Sequence, residues 1–505
     1  MAFHLGKPIL AMLVIAAACG AVIALRPAPK AADLELWVFA DAHAATYRAL
    51  EGQFQRRSGR SLHVQHVSNL ALNMRLTSLF MSGDSGETPP DAVEIEIASI
   101  GRYFRAPASD VAFLPLNDRL ENSGFREIRS LADPGVKGWN ARLISDGQIY
   151  THDGARWVLN PARARPDAWI DRIVRSRFAP WSKGGVIYGV PHDVHPVTIT
   201  YRDDLFTQAG VDLPSARTWA EFHDKCLAFQ SYWRSRGYRN RHAMELPLAA
   251  ADNVIVMLLQ RHVNVVDNYD RIHVADPKVA NTIAFYAQLV AGRRRIGAES
   301  SGGPGVWASD IVAGNTCAFV TPDWKTDDVR NYAPSMAGKL RMMPLPVFEQ
   351  GDARTSTWGG TMIGIPRRCK DPDAAWTLIE FLYFSDAGLD MRRAQSNILP
   401  PLAEEYAKPA YHRPDSYFGG QKVDELYAEL ATEIPDRYVS PLTVAAQVAV
   451  GLVLGRAVDY VRQHGPEGLE AACQRWLNEA DDELHRRLEH GRWEPEEPAL
   501  PGNSP

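Results

Sequence analysis

A short run with three chemically active side chains, His192-Asp193-Val194-His195, lies in an apolar, β-rich part of the sequence. Two imidazoles and a carboxylate within four residues could bind a cation, but an extended segment points neighbouring side chains to opposite faces. No second cluster in the sequence completes a metal site. These groups also donate and accept the hydrogen bonds that a polyol needs. A cation site, a contact to sugar hydroxyls and a hinge therefore remain three open interpretations.

Two glutamates, Glu94 and Glu96, alternate with the apolar residues of the run Val93–Ile97. The alternation predicts a strand that ends near Glu96. With Asp91, these carboxylates could serve a secreted carbohydrate-active enzyme, because glycosidases need only two placed carboxylates. The sequence lacks G-x-x-x-x-G-K-[ST], H-E-x-x-H and G-x-S-x-G, which disfavours several common enzyme classes. We expect no enzymatic activity and no cofactor.

Two tryptophans, Trp324 and Trp358, are the best candidates for stacking on a sugar ring. The C–H face of a pyranose packs well on an indole, while its hydroxyls need directional partners. Gly359 and Gly360 follow Trp358 and would let the backbone approach a ligand closely. Tyr417 precedes a Phe-Gly-Gly turn and could stack or only close that turn. Core packing is the alternative role for each tryptophan.

The elements that must position these residues begin with alternating strand and helix patterns. We predict strands at 34–39, 62–67 and 93–97 and helices at 44–58 and 69–81. This order is typical of a parallel sheet covered by helices, in which ligands lie beyond the carboxyl ends of the strands. Trp37 has the opposite parity to Leu34 and Leu36, so we expect only one face of the first strand to be core.

The segment Tyr188–Phe222 is the most informative part of the chain, YGVPHDVHPVTITYRDDLFTQAGVDLPSARTWAEF. Its prolines divide it into two short extended pieces joined at His195-Pro196, able to pass from one sheet to another. A short helix is predicted at Asp203–Gly210. Thr218-Trp219-Ala220-Glu221 then has the spacing of a capping box, so a second helix should begin there.

This segment resembles the central signature of family 1 extracellular solute-binding proteins, the maltose-binding-protein-like partners of ABC importers. The residues that carry the resemblance are Tyr188-Gly189-Val190-Pro191, Tyr201-Arg202-Asp203-Asp204-Leu205-Phe206, Ala209-Gly210, Pro214 and Thr218-Trp219-Ala220-Glu221-Phe222. His192 stands where the family usually has an aromatic residue, and Arg202 where it usually has Asn. The resemblance spans about 34–488, and 121–185 looks like an insertion, either a rim element of the cleft or decoration.

The resemblance implies an α/β fold of the two-lobed periplasmic-binding-protein type, class II-like, with discontinuous lobes joined by a hinge. Lobe 1 would hold 33–193 with 362–410, and lobe 2 would hold 197–358 with 412–492. The chain would cross between lobes near 195–196, 358–361 and 410–412. The implied function is capture of a sugar or oligosaccharide and its delivery to an ABC importer permease. The alternatives are the secreted enzyme above and a binder of a polyol, glycerol phosphate or metal.

The expected ligand site combines the chemistry above with positions that the resemblance implies. Among these positions are the end of the first strand, from Phe39 to His43, and an acidic contact at Glu96. The full set of ligand-binding residues is Phe39, His43, Glu96, His192, Asp193, His195, Trp324, Trp358, Gly359, Gly360 and Tyr417. We expect no dedicated metal ligands and a monomeric protein.

Length and composition fit an exported globular protein. The chain has 505 residues, 46% of them hydrophobic, enough for two or more cores. The net charge of −5 shows no basicity of the whole chain that would point to nucleic acid. Lys7, an apolar run at 9–25 and Arg26 predict that 1–32 is a signal peptide, a lipoprotein signal at Cys19 or an uncleaved membrane anchor. Each of these places the mature domain in the periplasm or at the cell surface, while 493–505 reads as a disordered tail.

The other four cysteines, Cys226, Cys317, Cys369 and Cys473, are widely spaced and form no CxxC motif. Cys226 and Cys473 lie on apparent apolar helix faces, so we expect buried thiols there. A disulfide in an oxidising compartment stays possible, because sequence does not supply the geometry.

Overall fold

The fold is taken from a computed structural model of the chain. It describes residues 32–82, 88–105, 111–122, 168–248, 251–300 and 303–491, the backbone of short strands between 126 and 159, and positions 12 and 14–16. The expected tail at 493–505 and nearly all of the expected export segment therefore lie outside the described residues.

The chain opens with a parallel β-α-β-α-β unit, as the sequence predicts. Its elements are β1 (Leu34–Val38), α1 (Asp41–Ser58), β2 (Leu62–His66), α2 (Asn69–Met81) and β3 (Ala92–Glu96). Leu34 pairs with Leu62 and Leu36 with Ala92, both in parallel register. Gly59 ends α1 at φ 75°, the left-handed conformation that glycine adopts without steric cost.

The next elements are short. They are α3 (Ile97–Ile100), α4 (Asn117–Asn122), β4 (Arg126–Glu127), β5 (Ala141–Ser145), β6 (Gln148–His152), β7 (Trp157–Leu159), α5 (Trp169–Arg172), β8 (Ser182–Lys183), β9 (Val186–Ile187) and β10 (Val190–Pro191). Strands β4 to β7 form a small separate sheet. Tyr150 lies in β6 and pairs with Leu159 of β7; the residues that connect these strands lie outside the described part of the chain.

A second sheet begins after the predicted break at His195-Pro196. The elements up to residue 344 are β11 (Val197–Arg202), α6 (Asp203–Gln208), α7 (Trp219–Ser235), β12 (Met244–Glu245), α8 (Asp252–Gln260), α9 (Pro277–Val290), β13 (Gly297–Ala298), α10 (Pro304–Ala313), β14 (Ala318–Pro322), α11 (Lys325–Tyr332) and β15 (Leu340–Pro344). Strand β11 lies between β14 and β15, antiparallel to both. The capping box at the start of α7 is confirmed, with reciprocal bonds between Thr218 and Glu221.

The chain then returns to the first sheet. The remaining elements are β16 (Thr361–Gly364), α12 (Pro372–Phe384), α13 (Asp386–Gln395), α14 (Val423–Ala431), α15 (Thr443–His464) and α16 (Leu469–Gly491). Strand β16 lies between β10 and β3 and is antiparallel to both, so the strand order is β10-β16-β3-β1-β2. We use lobe 1 for the body built on this sheet and lobe 2 for the body built on β14-β11-β15.

Both faces of the lobe 1 sheet are buried, so the expectation of a single core face on β1 is wrong. Leu36 packs with α1 and α12, whereas Trp37, 3% exposed, packs on the other face with α2, Tyr188 and Met362. Part of this second cover, Tyr188 and Met362, comes from far along the chain, and strand alternation carries no information about it. The core of lobe 2 includes the predicted apolar face of α7.

One helix in the described part of the chain, α15, is long and apolar enough to cross a membrane, with a mean hydropathy of 1.5. Its side chains from Ala446 to Val461 on one face pack in the lobe 2 core, against α9 and α16. A core helix passes the same length and composition test, so α15 is weak evidence for a membrane span.

The cysteines among the described residues are unpaired. Cys226, Cys317 and Cys473 are buried and Cys369 is half-buried, all as free thiols. Burial raises the pKa of Cys317 and of Cys473 to about 12, so both are protonated near neutral pH. Each is a small core residue rather than a reactive group.

Candidate ligand site

The first crossing between the lobes lies where the sequence predicts a break. The chain leaves the lobe 1 sheet at Pro191 and joins the lobe 2 sheet at Val197. His195 has φ 56°, a left-handed conformation that few non-glycine residues adopt. The returning chain runs beside it, since Pro196 forms a bridge with Thr357. Two segments that connect the sheets are therefore in direct contact at His195-Pro196.

His195 joins two buried carboxylates across this crossing. Its Nδ1 donates to Asp323 Oδ1 at 2.6 Å, and its Nε2 lies 3.1 Å from Asp193 Oδ2. Burial lowers the pKa of His195, but the two carboxylates outweigh it and raise the pKa to about 9. The ring is therefore a buried imidazolium at neutral pH, ion-paired on both sides.

A buried arginine completes this network. Arg177 donates from Nη2 to Asp193 Oδ1 at 2.7 Å and from Nη1 to Thr357 Oγ1 at 2.9 Å. A Cβ on Gly360 would lie 2.5 Å from Arg177 Nη2, so only glycine fits there without displacing the guanidinium. Burial raises the pKa of Asp193, but His195, His192 and Arg177 bring it well below its usual range. Three roles were open for this run: a cation site, a contact to sugar hydroxyls and a hinge. For Asp193 and His195, the buried network at the crossing supports the hinge.

The ring of His192 packs into lobe 1, away from His195 and Asp323, although its Nδ1 stays 3.4 Å from Asp193 Oδ2. Its ring lies 4.0 Å from the ring of His43 and 5.3 Å from that of Tyr383, measured between centroids, inside lobe 1. The side chain is 2% exposed. Spacing in the sequence suggested one cluster, and the extended backbone divides it between two sides.

The two predicted tryptophans form a pair at the second crossing. Trp324 Nε1 donates to the Trp358 carbonyl at 2.9 Å, and the rings meet edge to face at 6.2 Å. A Cβ on Gly359 would lie 3.3 Å from Trp324 Nε1 and 3.4 Å from His195 Cδ2. The structure therefore brings Trp324, Trp358, Gly359 and His195 together. Both indoles are half-buried, which leaves part of each available to a ligand.

Glu96 lies at the end of β3, as predicted, and borders the same region. It pairs with Thr361 across the sheet, and its carboxylate accepts a bond from the Ala98 amide at 3.0 Å. Burial raises its pKa, while the Ala98 amide and Arg437 oppose that rise. Arg437 is half-buried, and its desolvation together with the nearby Arg177 lowers its pKa to about 10. The sequence pattern around Arg437 gave no signal of this proximity.

A cavity of about 700 Å³ lies between the two lobes, lined in part by Ile97 and Ala98, which directly follow Glu96 in the chain. The wall from lobe 1 includes Ile97 and Gly101, and the opposite wall, from the loop before α15, includes Arg437 and Ser440. A Cβ on Gly101 would overlap the Ser440 carbonyl oxygen. The two lobes therefore touch where Gly101 meets Ser440, and this contact needs a residue without a Cβ.

Two predicted ligand residues have other partners in the structure. The Tyr417 hydroxyl lies 3.0 Å and 2.7 Å from the carbonyls of Val329 and Ala333, where it ties the turn to α11. Phe39 is half-buried beside α1, with its ring 6.3 Å from that of His43. A ligand role for Tyr417 and for Phe39 therefore stays a prediction.

The carboxylates of the enzyme alternative have separate structural roles. Asp91 accepts a hydrogen bond from the Glu35 amide at 2.8 Å. Glu94 is fully buried inside lobe 1. Glu96 caps α3 through the Ala98 amide. The described residues offer no open acid pair made from these three.

Comparison with known proteins finds similarity to binding proteins. Residues 157–388 match the family described as "Bacterial extracellular solute-binding protein", which confirms the resemblance seen in the sequence. A lactose-binding protein of Rhizobium radiobacter is 25% identical over 66% of this chain and 81% of its own length. An arabinooligosaccharide-binding protein of Halalkalibacterium halodurans is 20% identical over 56% of this chain. The match spans only 64% of that relative's length.

Solved structures share the architecture. The sugar-binding protein MalE from Xanthomonas citri has a TM-score of 0.67 at 17% identity, over 91% of this chain and 99% of its own. A cyclo/maltodextrin-binding protein complexed with maltotetraose has a TM-score of 0.60 at 15% identity, over 90% of this chain and 97% of its own. These likenesses confirm the predicted two-lobed α/β fold.

Proposed function

We propose that this chain, a relative of the bacterial extracellular solute-binding proteins, captures a sugar or oligosaccharide and delivers it to an ABC importer permease. The observation that carries the proposal is the half-buried pair Trp324 and Trp358, located at the crossing between the two lobes. Stacking faces beside a hinge suit a ligand with apolar C–H faces and many hydroxyls. The names of the sugar-binding relatives support the same ligand class.

Binding would use the residues that surround the cavity and the crossing. Trp324 and Trp358 would stack on sugar rings, while Glu96 and Arg437 would exchange hydrogen bonds with hydroxyls at the lobe interface. The glycines at 359 and 360 would let backbone groups approach the ligand. Closure of the lobes about 195–196 and 358–361 would bury the sugar, and the closed form would dock on the permease.

The proposal includes the organisation and location of the protein. Lobe 1 comprises 33–193 with 362–410 and lobe 2 comprises 197–358 with 412–492, with a third crossing near 410–412. The mature protein works as a monomer outside the cytoplasmic membrane, free or held there by the N-terminal segment. It has no catalytic activity and no nucleic-acid partner. The extracellular family matched by 157–388 supports export.

A thermal-shift screen tests this function. The purified protein is heated with mono- and oligosaccharides, with polyols and with glycerol phosphate, because a ligand that binds only the folded state raises the melting temperature. We expect at least one sugar to raise it, with saturable binding in calorimetry. A shift with glycerol phosphate alone would overturn the sugar assignment. Chromatography of the incubated sugar adds a second outcome, since release of smaller sugars would show an enzyme.

A further inference from the structure

A buried group of three possible metal ligands lies inside lobe 1, apart from the tryptophan pair. It consists of His43 on α1, Glu94 on β3 and His192 after β10, and we call it the lobe 1 cluster. His43 Nδ1 lies 2.7 Å from Glu94 Oε2. One donor atom from each residue falls within 4.8 Å of the others, and all three side chains are buried. Three distant parts of the sequence thus converge here.

Glu94 is held in one orientation by two tyrosines. The hydroxyls of Tyr47 and Tyr383 each donate to Glu94 Oε1 at 2.7 Å. Burial raises the pKa of both tyrosines well above the usual value, so both stay protonated donors. The other oxygen, Oε2, faces His43. Such outer partners fix a carboxylate ligand and leave one oxygen for a metal ion.

His192 provides a second, independent indication of a ligand. Neither of its ring nitrogens makes a hydrogen bond to the described residues, although the side chain is 2% exposed. Asp193 Oδ2 lies 3.4 Å from Nδ1, beyond the usual range of about 2.7–3.2 Å for an N–H···O hydrogen bond. An imidazole with an unused lone pair on a ring nitrogen is the form that binds metals.

We propose that His43, Glu94 and His192 form a binding site for a divalent transition-metal ion of the zinc type. Two imidazoles and one carboxylate are the ligand set of open three-ligand zinc sites, whereas Mg²⁺ and Ca²⁺ prefer oxygen ligands alone. Ligands on a tetrahedral zinc ion are about 3.3 Å apart. His43 Nδ1 and Glu94 Oε2, now 2.7 Å apart, must therefore separate slightly, and donor atoms that lie farther apart, up to 4.8 Å, must move closer together when the ion binds. The ion would link α1 of lobe 1 to the start of the crossing.

Arg392 opposes the binding of a metal ion at this site and therefore lowers the expected affinity. Arg392 donates from Nη2 to the His192 carbonyl, and its guanidinium lies 5.3 Å from the centre of the Tyr383 ring. Its positive charge repels a divalent ion. The affinity should therefore be lower than for the same ligands without an arginine, and metal-free protein should still fold.

The test uses untagged full-length protein, first treated with EDTA and then titrated with Zn²⁺, Co²⁺ or Mg²⁺. We expect one Zn²⁺ per chain by calorimetry, no binding of Mg²⁺, and visible absorption bands of low-coordinate Co²⁺. His192→Gln and Glu94→Gln should each weaken Zn²⁺ binding at least 10-fold. His63→Gln is the matched control, because His63 is an exposed histidine on β2.

Three results would overturn the site: no Zn²⁺ binding to the parent, equal binding by both variants, or loss of binding in His63→Gln. If a variant fails to fold, the Co²⁺ spectrum of the parent decides, since a hexa-aquo spectrum means no coordination by the protein. Sugar binding is measured separately in EDTA. If these experiments disprove the metal site, the proposed sugar-binding function can therefore still be tested by itself.

Discussion

Deprotonation of His195 should lower the free energy of unfolding between pH 6.5 and about 9. The ring lies between Asp193 and Asp323, and although burial lowers its pKa, the two carboxylates raise it from 6.5 to about 9. Because the folded-state pKa is the higher one, the stabilisation is fully present below pH 6.5. It is lost as the pH rises through 9. One pKa unit corresponds to 1.36 kcal/mol, so the expected loss is about 3 kcal/mol.

Urea unfolding followed by tryptophan fluorescence measures this loss at pH 6.5, 7.5, 8.5 and 9. The parent should become less stable at each step, whereas His195→Gln should be less stable at pH 6.5 and nearly flat above it. His192 does not interfere, because its pKa is lowered to about 3 and its effect ends below pH 6.5. His63→Gln is the control, since His63 is an exposed histidine on β2.

The reasoning fails if the parent and His195→Gln show the same slope with pH. It also fails if the parent becomes more stable between pH 7 and pH 9. Either result would mean that the ring is neutral in the folded protein and that the two carboxylates are held by Arg177 and backbone amides instead.

Three further predictions follow from the site and the fold. Trp358→Ala should weaken sugar binding by about 1–3 kcal/mol in calorimetry while the protein stays folded, and unchanged affinity would remove Trp358 from the site. Gly101→Ala should push the lobes apart at Ser440 and enlarge the radius of gyration in solution scattering; a profile equal to that of the parent would show that the contact is not closed in solution. Thr218→Ala removes the acceptor for the Glu221 amide and should cost about 1 kcal/mol in urea unfolding, with no loss if the cap is unimportant.

Local pattern was enough to predict most elements of the fold. The bounds of α2 (Asn69–Met81) agree with the prediction, because its apolar spacing and its flanking loops are local signals. The double burial of β1 was missed because Tyr188 and Met362, which cover Trp37, are far away in sequence. Alternation along a strand reports side-chain direction, and it does not report how many layers cover the sheet.

The sequence singled out candidate site residues but not their arrangement. The partners of the run from His192 to His195, Arg177 and Asp323, come from segments that no spacing rule connects to it. Arg437 carried no signal, since its importance arises only when the loop before α15 reaches lobe 1. Such contacts form between residues that are far apart in the chain. No local pattern in a single sequence reveals which distant residues will pair.

The position of β16 has a consequence for how the chain reaches its native state. This strand, Thr361–Gly364, lies between β10 and β3, so the first sheet cannot be completed until residue 364 is available. A nascent chain that ends before Thr361 has β3 with an unpaired edge. Contacts of such large sequence separation form slowly, because a long loop must close before they stabilise anything. Late sheet completion would keep the emerging polypeptide unfolded for longer, which is the state that a translocation channel accepts.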